Sequence, residues 1–288
     1  MADDSNAALI LSLRELTDFN HIINFKKYPI LDLMSPGAQT LLNTCRKSIA
    51  ELGACELPDF ITPKALSVLQ SESAILQKNA FYKAVEANAY LKPGDPSLPE
   101  DHPLNMTEPT NVGVIAYDQY PENSLLRRIY EWNPLMEFIG AILNLPAIYR
   151  YGDPMGGLNL AVMRKTDYLR WHFDQTDFVT SLSIQGSESG GEFEYAPLIR
   201  TETNENFSDV KRLLTGDRSK VTKIKNIPGT LVLFKGRFSI HRVTPITGDR
   251  QRWMGLFGFD SKPNVCNTPH LLEMRYGRQQ PLATKPIF

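Results

Sequence analysis

The sequence predicts an α+β fold, with helices first and a double-sheet jelly roll after them. Two observations carry this. Between about residues 36 and 150, long stretches repeat their apolar residues near every 3.6 positions, the period of an amphipathic helix. From about residue 156 onward, short runs rich in β-branched and aromatic residues are separated by Gly- and Pro-containing turns. Many short strands punctuated in this way argue for a sandwich or barrel.

The elements follow in order. "SPGAQTLLNTCRKSIAELGAC" has helical apolar spacing and stops at Gly53. "TPKALSVLQSESAILQKNAFYKAV" begins with Thr62 as N-cap and Pro63 in the first turn. "NSLLRRIYEWNPLMEFIGAILNL" reads as one helix or two, with Pro134 opening the second. Between them lies "LKPGDPSLPEDHPLNMTEP", a long irregular segment, and residues 92–111 are the candidate lid. The strands expected after these are "LNLAVMR", "FVTSLSIQ", "GEFEYAP", "SKVTKIKN", "GTLVLFKG" and "RWMGLFGFD". No internal repeat or low-complexity segment interrupts them.

Composition excludes several function classes. Apolar content of 42% and charged content of 22% are those of an ordinary globular protein. A net charge of −1 leaves no electrostatic case for nucleic acid or an anionic membrane surface as partner. The cysteines, Cys45, Cys55 and Cys266, are odd in number and none forms a CxxC pair, so reduced thiols are expected. The N-terminus starts acidic and its apolar run is short, unlike a secretory signal. No run approaches the roughly 20 apolar residues of a membrane span. The expectation is a soluble, cytoplasmic protein.

The chemistry concentrates in "YLRWHFDQTDF", residues 168–178. In an extended chain, residues i and i+2 share a face. His172 and Asp174 then project together and Phe173 turns away. Imidazole with carboxylate suits Fe(II), Mn(II) or Zn(II), but two ligands do not make a site. HxD is common by chance, so a third group has to come from elsewhere in the fold. His241 follows the strand-like Leu231–Phe234 and a glycine-containing turn. Two histidines and one carboxylate, with other positions open, form the facial triad of non-haem Fe(II) oxygenases. The remaining histidines read otherwise: His21 as a loop or cap residue, His102 as a loop residue within reach of a substrate, His270 as structural.

Beyond His241 stand Arg250 and Arg252. Arg252 opens the apolar strand "WMGLFGF", and a guanidinium pointing into a barrel requires an anion. A dicarboxylate cosubstrate meets that need with two-pronged geometry. Arg250 is the competitor, but "TGDR" reads as the turn, so Arg252 is preferred. Together these residues make the HxD…H…R pattern of 2-oxoglutarate oxygenases.

At this point the chain resembles a known family. "WHFD", "GGEFEYAP", "PGTLVLFKGRFSIHRVTPITGDRQR" and "YGDPMGG" are similar to the carrier-independent free-amino-acid halogenases and their hydroxylase relatives. The resemblance runs from about residue 28 to about residue 278 and is most specific around His241. It implies one oxygenase domain over 1–288, with a double-stranded β-helix, cupin-like core. About 1–150 would be mainly helical support and lid, and about 151–288 the jelly roll. It implies Fe(II), 2-oxoglutarate and O2 as cofactors, with His172 and His241 as iron histidines and Arg252 on the 2-oxoglutarate carboxylate. Where the halogenases carry HxG, this chain has Asp174. Glycine leaves an iron position for chloride and a carboxylate fills it, so the resemblance implies hydroxylation of an unactivated C–H of a small free substrate, an amino acid. Leu169 stands where lysine-type halogenases place a substrate-holding histidine, and Gln175 where an acidic contact is expected. Lysine is therefore not assigned.

Three alternatives compete. The same chemistry could act on a nucleotide, a peptide or a natural-product intermediate. A basic groove would favour a phosphate-bearing substrate, whereas a pocket lined by carboxylate and Arg pairs would favour an amino acid. A non-catalytic jelly-roll binding protein could retain the ligand residues. A zinc hydrolase is disfavoured, because no glutamate base accompanies the histidines at HExxH spacing.

Overall fold

A computed structural model describes residues 2–283, with side chains from residue 7. The helices form where capping chemistry meets an apolar stripe. Ser35 accepts from Ala38 N and opens the helix Pro36–Leu52, which buries Ala38, Leu42, Cys45 and Ile49 on one face. Gly53 closes it at φ 66°, a left-handed position that favours glycine. Thr62 caps Pro63–Leu76 in the same way. That helix is shorter than its periodicity suggests, because a 3-10 turn at Gln77–Asn79 and a short strand at Phe81–Tyr82 take over. The third stretch is two helices, Leu125–Glu131 and Asn133–Leu143, with Pro134 in the first turn of the second. Two further helices, Phe207–Leu214 and Pro269–Tyr276, lie in the second half of the chain.

Two antiparallel sheets form the jelly roll. The larger runs Ala54–Leu57, Leu231–Phe234, Val179–Gln185, Arg252–Phe257, Leu158–Met163, Gly113–Ile115, Phe81–Tyr82. The smaller runs Thr222–Ile224, Phe193–Ala196, Ile240–Val243, Leu169–His172. A separate hairpin pairs Val85–Asn88 with Thr107–Thr110. All six expected strands are present, and the early half of the chain also gives three strands to the larger sheet, so helices and strands are not segregated at residue 150.

Alternation along the larger sheet divides its residues between two environments. Leu158, Leu160, Val162, Leu182, Ile184, Leu231, Leu233, Trp253 and Phe257 face the helices and join Leu42, Ile49, Leu69, Ile129 and Phe138 in the main apolar core. Their neighbours Asn159, Ala161, Met163, Ser181, Ser183, Val232, Phe234, Arg252 and Met254 line a cavity on the other face. Trp253 belongs to the core, so Arg252 must face the cavity. The fold thus anchors one side of the sheet in hydrocarbon and turns the other into a site. No helix among the described residues is long and apolar enough to cross a membrane.

Candidate metal centre

The cavity holds about 440 Å³ and lies between the sheets. His172 ends one strand of the smaller sheet and pairs directly with His241 on the next, antiparallel strand. Their rings sit 4.1 Å apart. Asp174 lies just beyond the strand end, and its backbone N donates to Gly236 O at 3.1 Å. Its two carboxylate oxygens stand 3.6 Å from His172 Nε2 and 3.6 Å from His241 Nε2. Phe173 turns the opposite way, into a second apolar cluster with Tyr90, Trp171 and Ile240. The i, i+2 reasoning therefore holds for orientation, although the regular strand stops at His172.

The local hydrogen bonds prepare these groups as ligands. His172 Nδ1 lies 3.0 Å from Arg170 O, and His241 Nδ1 lies 3.0 Å from Ser239 O. A carbonyl only accepts, so each Nδ1 carries the proton and each Nε2 offers its lone pair to the centre. Burial, then the neighbouring His172, brings the His241 pKa down to about 4, which keeps it neutral as a ligand must be. Burial acts to raise the Asp174 pKa, but His241 and His172 beside it hold it below the ordinary value. The three ligand atoms lie within 4.8 Å of one another. Two imidazoles and one carboxylate, converging with open space beside them, fit a divalent iron.

Gly236 makes room for the carboxylate. A Cβ there would stand 1.6 Å from Asp174 Oδ2. The glycine turn before His241 was visible in the sequence, but its contact with Asp174 depends on a loop-to-loop approach across the barrel mouth.

Arg252 is 5% exposed, lines the same cavity, and its Nε has no hydrogen-bond partner. Burial draws its pKa down to about 10, so it stays charged at neutral pH. Asn226 Nδ2 and Thr230 Oγ1, also lining the cavity, are likewise buried without partners. Such orphaned donors are costly unless an acceptor-rich ligand meets them. A dicarboxylate fits this need. Arg250 differs: it is exposed and donates to Gly186 O and Ser187 O, away from the cavity.

The other singled-out residues fall in varied places. Leu169 and Gln175 both line the cavity. His102 packs on Phe207 at 4.5 Å, and its Nδ1 accepts from Leu104 N. His21 closes a 3-10 turn and His270 lies exposed on the helix Pro269–Tyr276. Of the 92–111 segment, only Thr110 lines the cavity. Asp101 instead pairs with Lys211 at 2.5 Å, and Leu104 packs against the Phe173 cluster. Leu91 and Val112, which flank that segment, line the cavity, as do Leu271, Met274 and Arg275 near the other end of the chain. That polar helix carries too weak an apolar stripe to announce itself. Sequence reading also missed Arg170, a cavity residue two positions before the first histidine.

Comparison with known proteins agrees with this architecture. The family model described as halogenase D matches residues 99–272, well over half of the chain. No curated protein sequence matches. Among solved structures, AviO1 from Streptomyces viridochromogenes Tue57 is similar with a TM-score of 0.54 at 13% identity, covering 79% of this chain and 97% of its own. The non-heme alpha ketoglutarate dependent carbocyclase SnoK from nogalamycin biosynthesis gives 0.53 at 14% identity, covering 84% and 93%. A 2OG-Fe(II) oxygenase family protein from Burkholderia pseudomallei gives 0.50 at 14%, covering 78% and 92%. At these identities the likeness is one of fold, and the family match supplies the rest: the chain belongs to the halogenase D family, built on the jelly roll of the Fe(II)/2-oxoglutarate oxygenases.

Proposed function

We propose that this protein is a Fe(II)/2-oxoglutarate-dependent dioxygenase that hydroxylates an unactivated C–H of a small free substrate, in the amino-acid class the family resemblance implies. The observation that carries the reading is Asp174, whose two oxygens stand 3.6 Å from both histidine Nε2 atoms. With a carboxylate there, no ligand position is left vacant for chloride, despite the family's name.

Bound iron(II), with 2-oxoglutarate and O2, supplies C–H oxidation and releases succinate and CO2. The chain does the rest. His172 and His241 hold the metal through Nε2, each ring fixed by its Nδ1–H to a backbone carbonyl. Asp174 contributes charge and completes the triad. Arg252 would pair with the distal carboxylate of 2-oxoglutarate, giving its buried Nε the acceptor it lacks. The apolar walls, including Val112, Phe193 and Val243, keep water from the reacting carbon.

The test is aerobic incubation with Fe(II), 2-oxoglutarate and a panel of free amino acids, following succinate. Succinate above the substrate-free background, lost in His172→Ala and Asp174→Ala, is the expected result. Full activity in His172→Ala would sink the site assignment. A panel in which no amino acid raises succinate would remove the amino-acid class.

A further inference from the structure

The charge of the cavity wall is lopsided. Its lining includes Lys83, Arg170, Lys225, Arg252 and Arg275, against one carboxylate, Asp174. Asp174 is committed to the metal and Arg252 to the cosubstrate. What is left for a substrate is cationic, with no acidic side chain to receive an ammonium group.

Among the spare cations Arg170 is the most constrained. It is 6% exposed, and its Nε has no hydrogen-bond partner. Its Nη1 donates to Val85 O at 3.0 Å, which pins the guanidinium against the hairpin Val85–Asn88/Thr107–Thr110. Burial lowers its pKa, and Glu108 and Tyr168 act on its charge in the opposite sense. Burying a guanidinium with an unmet N–H is unfavourable unless a ligand supplies the acceptor. Two further donors share this wall. Thr110 Oγ1 accepts from Arg170 N at 3.0 Å, so its own proton remains available to the cavity. Lys83, exposed, lines the cavity beside Val85. Leu91, Val112 and Leu169 give the same region an apolar body.

We infer that Arg170, with Lys83 and Thr110, forms an anion-binding subsite that holds the acid group of the primary substrate, and that the substrate carries no basic side chain. This rests on the oxygenase reading above and sharpens its substrate class. The ligand is an organic acid with an apolar body, whether a free acid or a neutral or acidic amino acid. Carboxylate and phosphate share the chemistry that Arg170 recognises, so the test separates them.

The experiment is calorimetric titration of the protein loaded with Mn(II) and saturating 2-oxoglutarate under nitrogen. The probes share about the same six-carbon length: hexanoate, norleucine, hexyl phosphate, hexylamine and lysine. Hexanoate and norleucine are expected to bind, and hexylamine and lysine to bind at least about tenfold more weakly, since one unmet buried charge is worth more than about 1.4 kcal/mol. Arg170→Gln should weaken hexanoate at least about tenfold while leaving 2-oxoglutarate binding unchanged. Lys83→Glu, a substitution on an exposed residue that does not threaten folding, should weaken it as well. A preference for hexyl phosphate with the same loss in Arg170→Gln would support the subsite and make its natural ligand a phosphate. Tighter binding of hexylamine or lysine, no binding of any acid, or hexanoate affinity unchanged in both variants would overturn the inference. Failure of 2-oxoglutarate itself to bind the metal-loaded protein would instead overturn the oxygenase reading, so the two failures are distinct.

Discussion

Replacing Gly236 by alanine separates metal binding from folding. An added Cβ would lie 1.6 Å from Asp174 Oδ2, 2.5 Å from its Cγ and 2.9 Å from its Cβ. Real Cβ atoms essentially never approach closer than 3.0 Å, so the carboxylate oxygen must retreat by at least 1.4 Å, the difference between 3.0 and 1.6 Å. Rotating the carboxylate away clears Oδ2 and Cγ, and the contact with Asp174 Cβ, 2.9 Å against a limit of 3.0 Å, asks only a slight further shift. The backbone bond from Asp174 N to Gly236 O can persist, and Gly236 does not occupy a left-handed conformation. For the metal it is expensive, because ligand distances are held to about 0.2 Å. Disturbing even the groups that orient a ligand costs about 10- to 100-fold in metal affinity, so displacing the ligand itself should cost about 100-fold or more, roughly 3 kcal/mol. The assay is calorimetric titration with Fe(II) under nitrogen, beside a thermal melt of the metal-free protein. The melt should move by less than about 4 °C, the effect of about 1 kcal/mol in a domain of this size. Wild-type metal affinity in Gly236→Ala would refute the placement of Asp174 in the centre.

Other perturbations follow from the same geometry. Arg252→Met removes a buried guanidinium whose Nε has no partner and whose Nη1 meets Met163 Sδ at 3.9 Å, so the cosubstrate-free protein should melt higher. Its 2-oxoglutarate affinity, read by calorimetry, should fall by about 2–5 kcal/mol, the cost of truncating one side of a buried charge pair. Asp174→Gly should end hydroxylation and open a position to chloride, which mass spectrometry of the products checks through the chlorine isotope pair. Glu72 makes a pH prediction away from the site. Burial raises its pKa from 4.5 to about 7, against the lowering contributions of Ser124 and Leu125. The folded state therefore binds this proton more tightly than the unfolded chain does. The stability it lends is full below pH 4.5 and is lost as pH rises through about 7. The change is about 3 kcal/mol, and Glu72→Gln should flatten that part of the stability-versus-pH curve measured by urea unfolding.

Much of this was legible in the sequence because local rules and global need coincide there. Ser35 and Gly53 bracket a helix by capping chemistry alone, and the Leu231–Phe234 and Arg252–Phe257 strands announce themselves by composition. The assignment of His172, Asp174 and His241 to one place relied on two strands meeting in register, which the residue types suggested and only pairing establishes. What stayed hidden depended on contacts between distant segments. Ala54–Leu57 is a strand because Leu231–Phe234 lies beside it, and its four residues carry little signal of their own. The Pro-rich loop packs on the helix Phe207–Leu214, whereas Met274 and Arg275 reach the cavity from a helix with weak amphipathicity. Arg170 carries no signal of its own in the sequence. Only its burial, and the missing partner at Nε, give it meaning.

The most direct test of the central claim is the product formed under isotopically labelled O2 with Fe(II), 2-oxoglutarate, chloride and a substrate that raises succinate release. A complete triad of His172, Asp174 and His241 predicts a product carrying one labelled oxygen and no chlorine. A chlorinated product from the unaltered protein would contradict it.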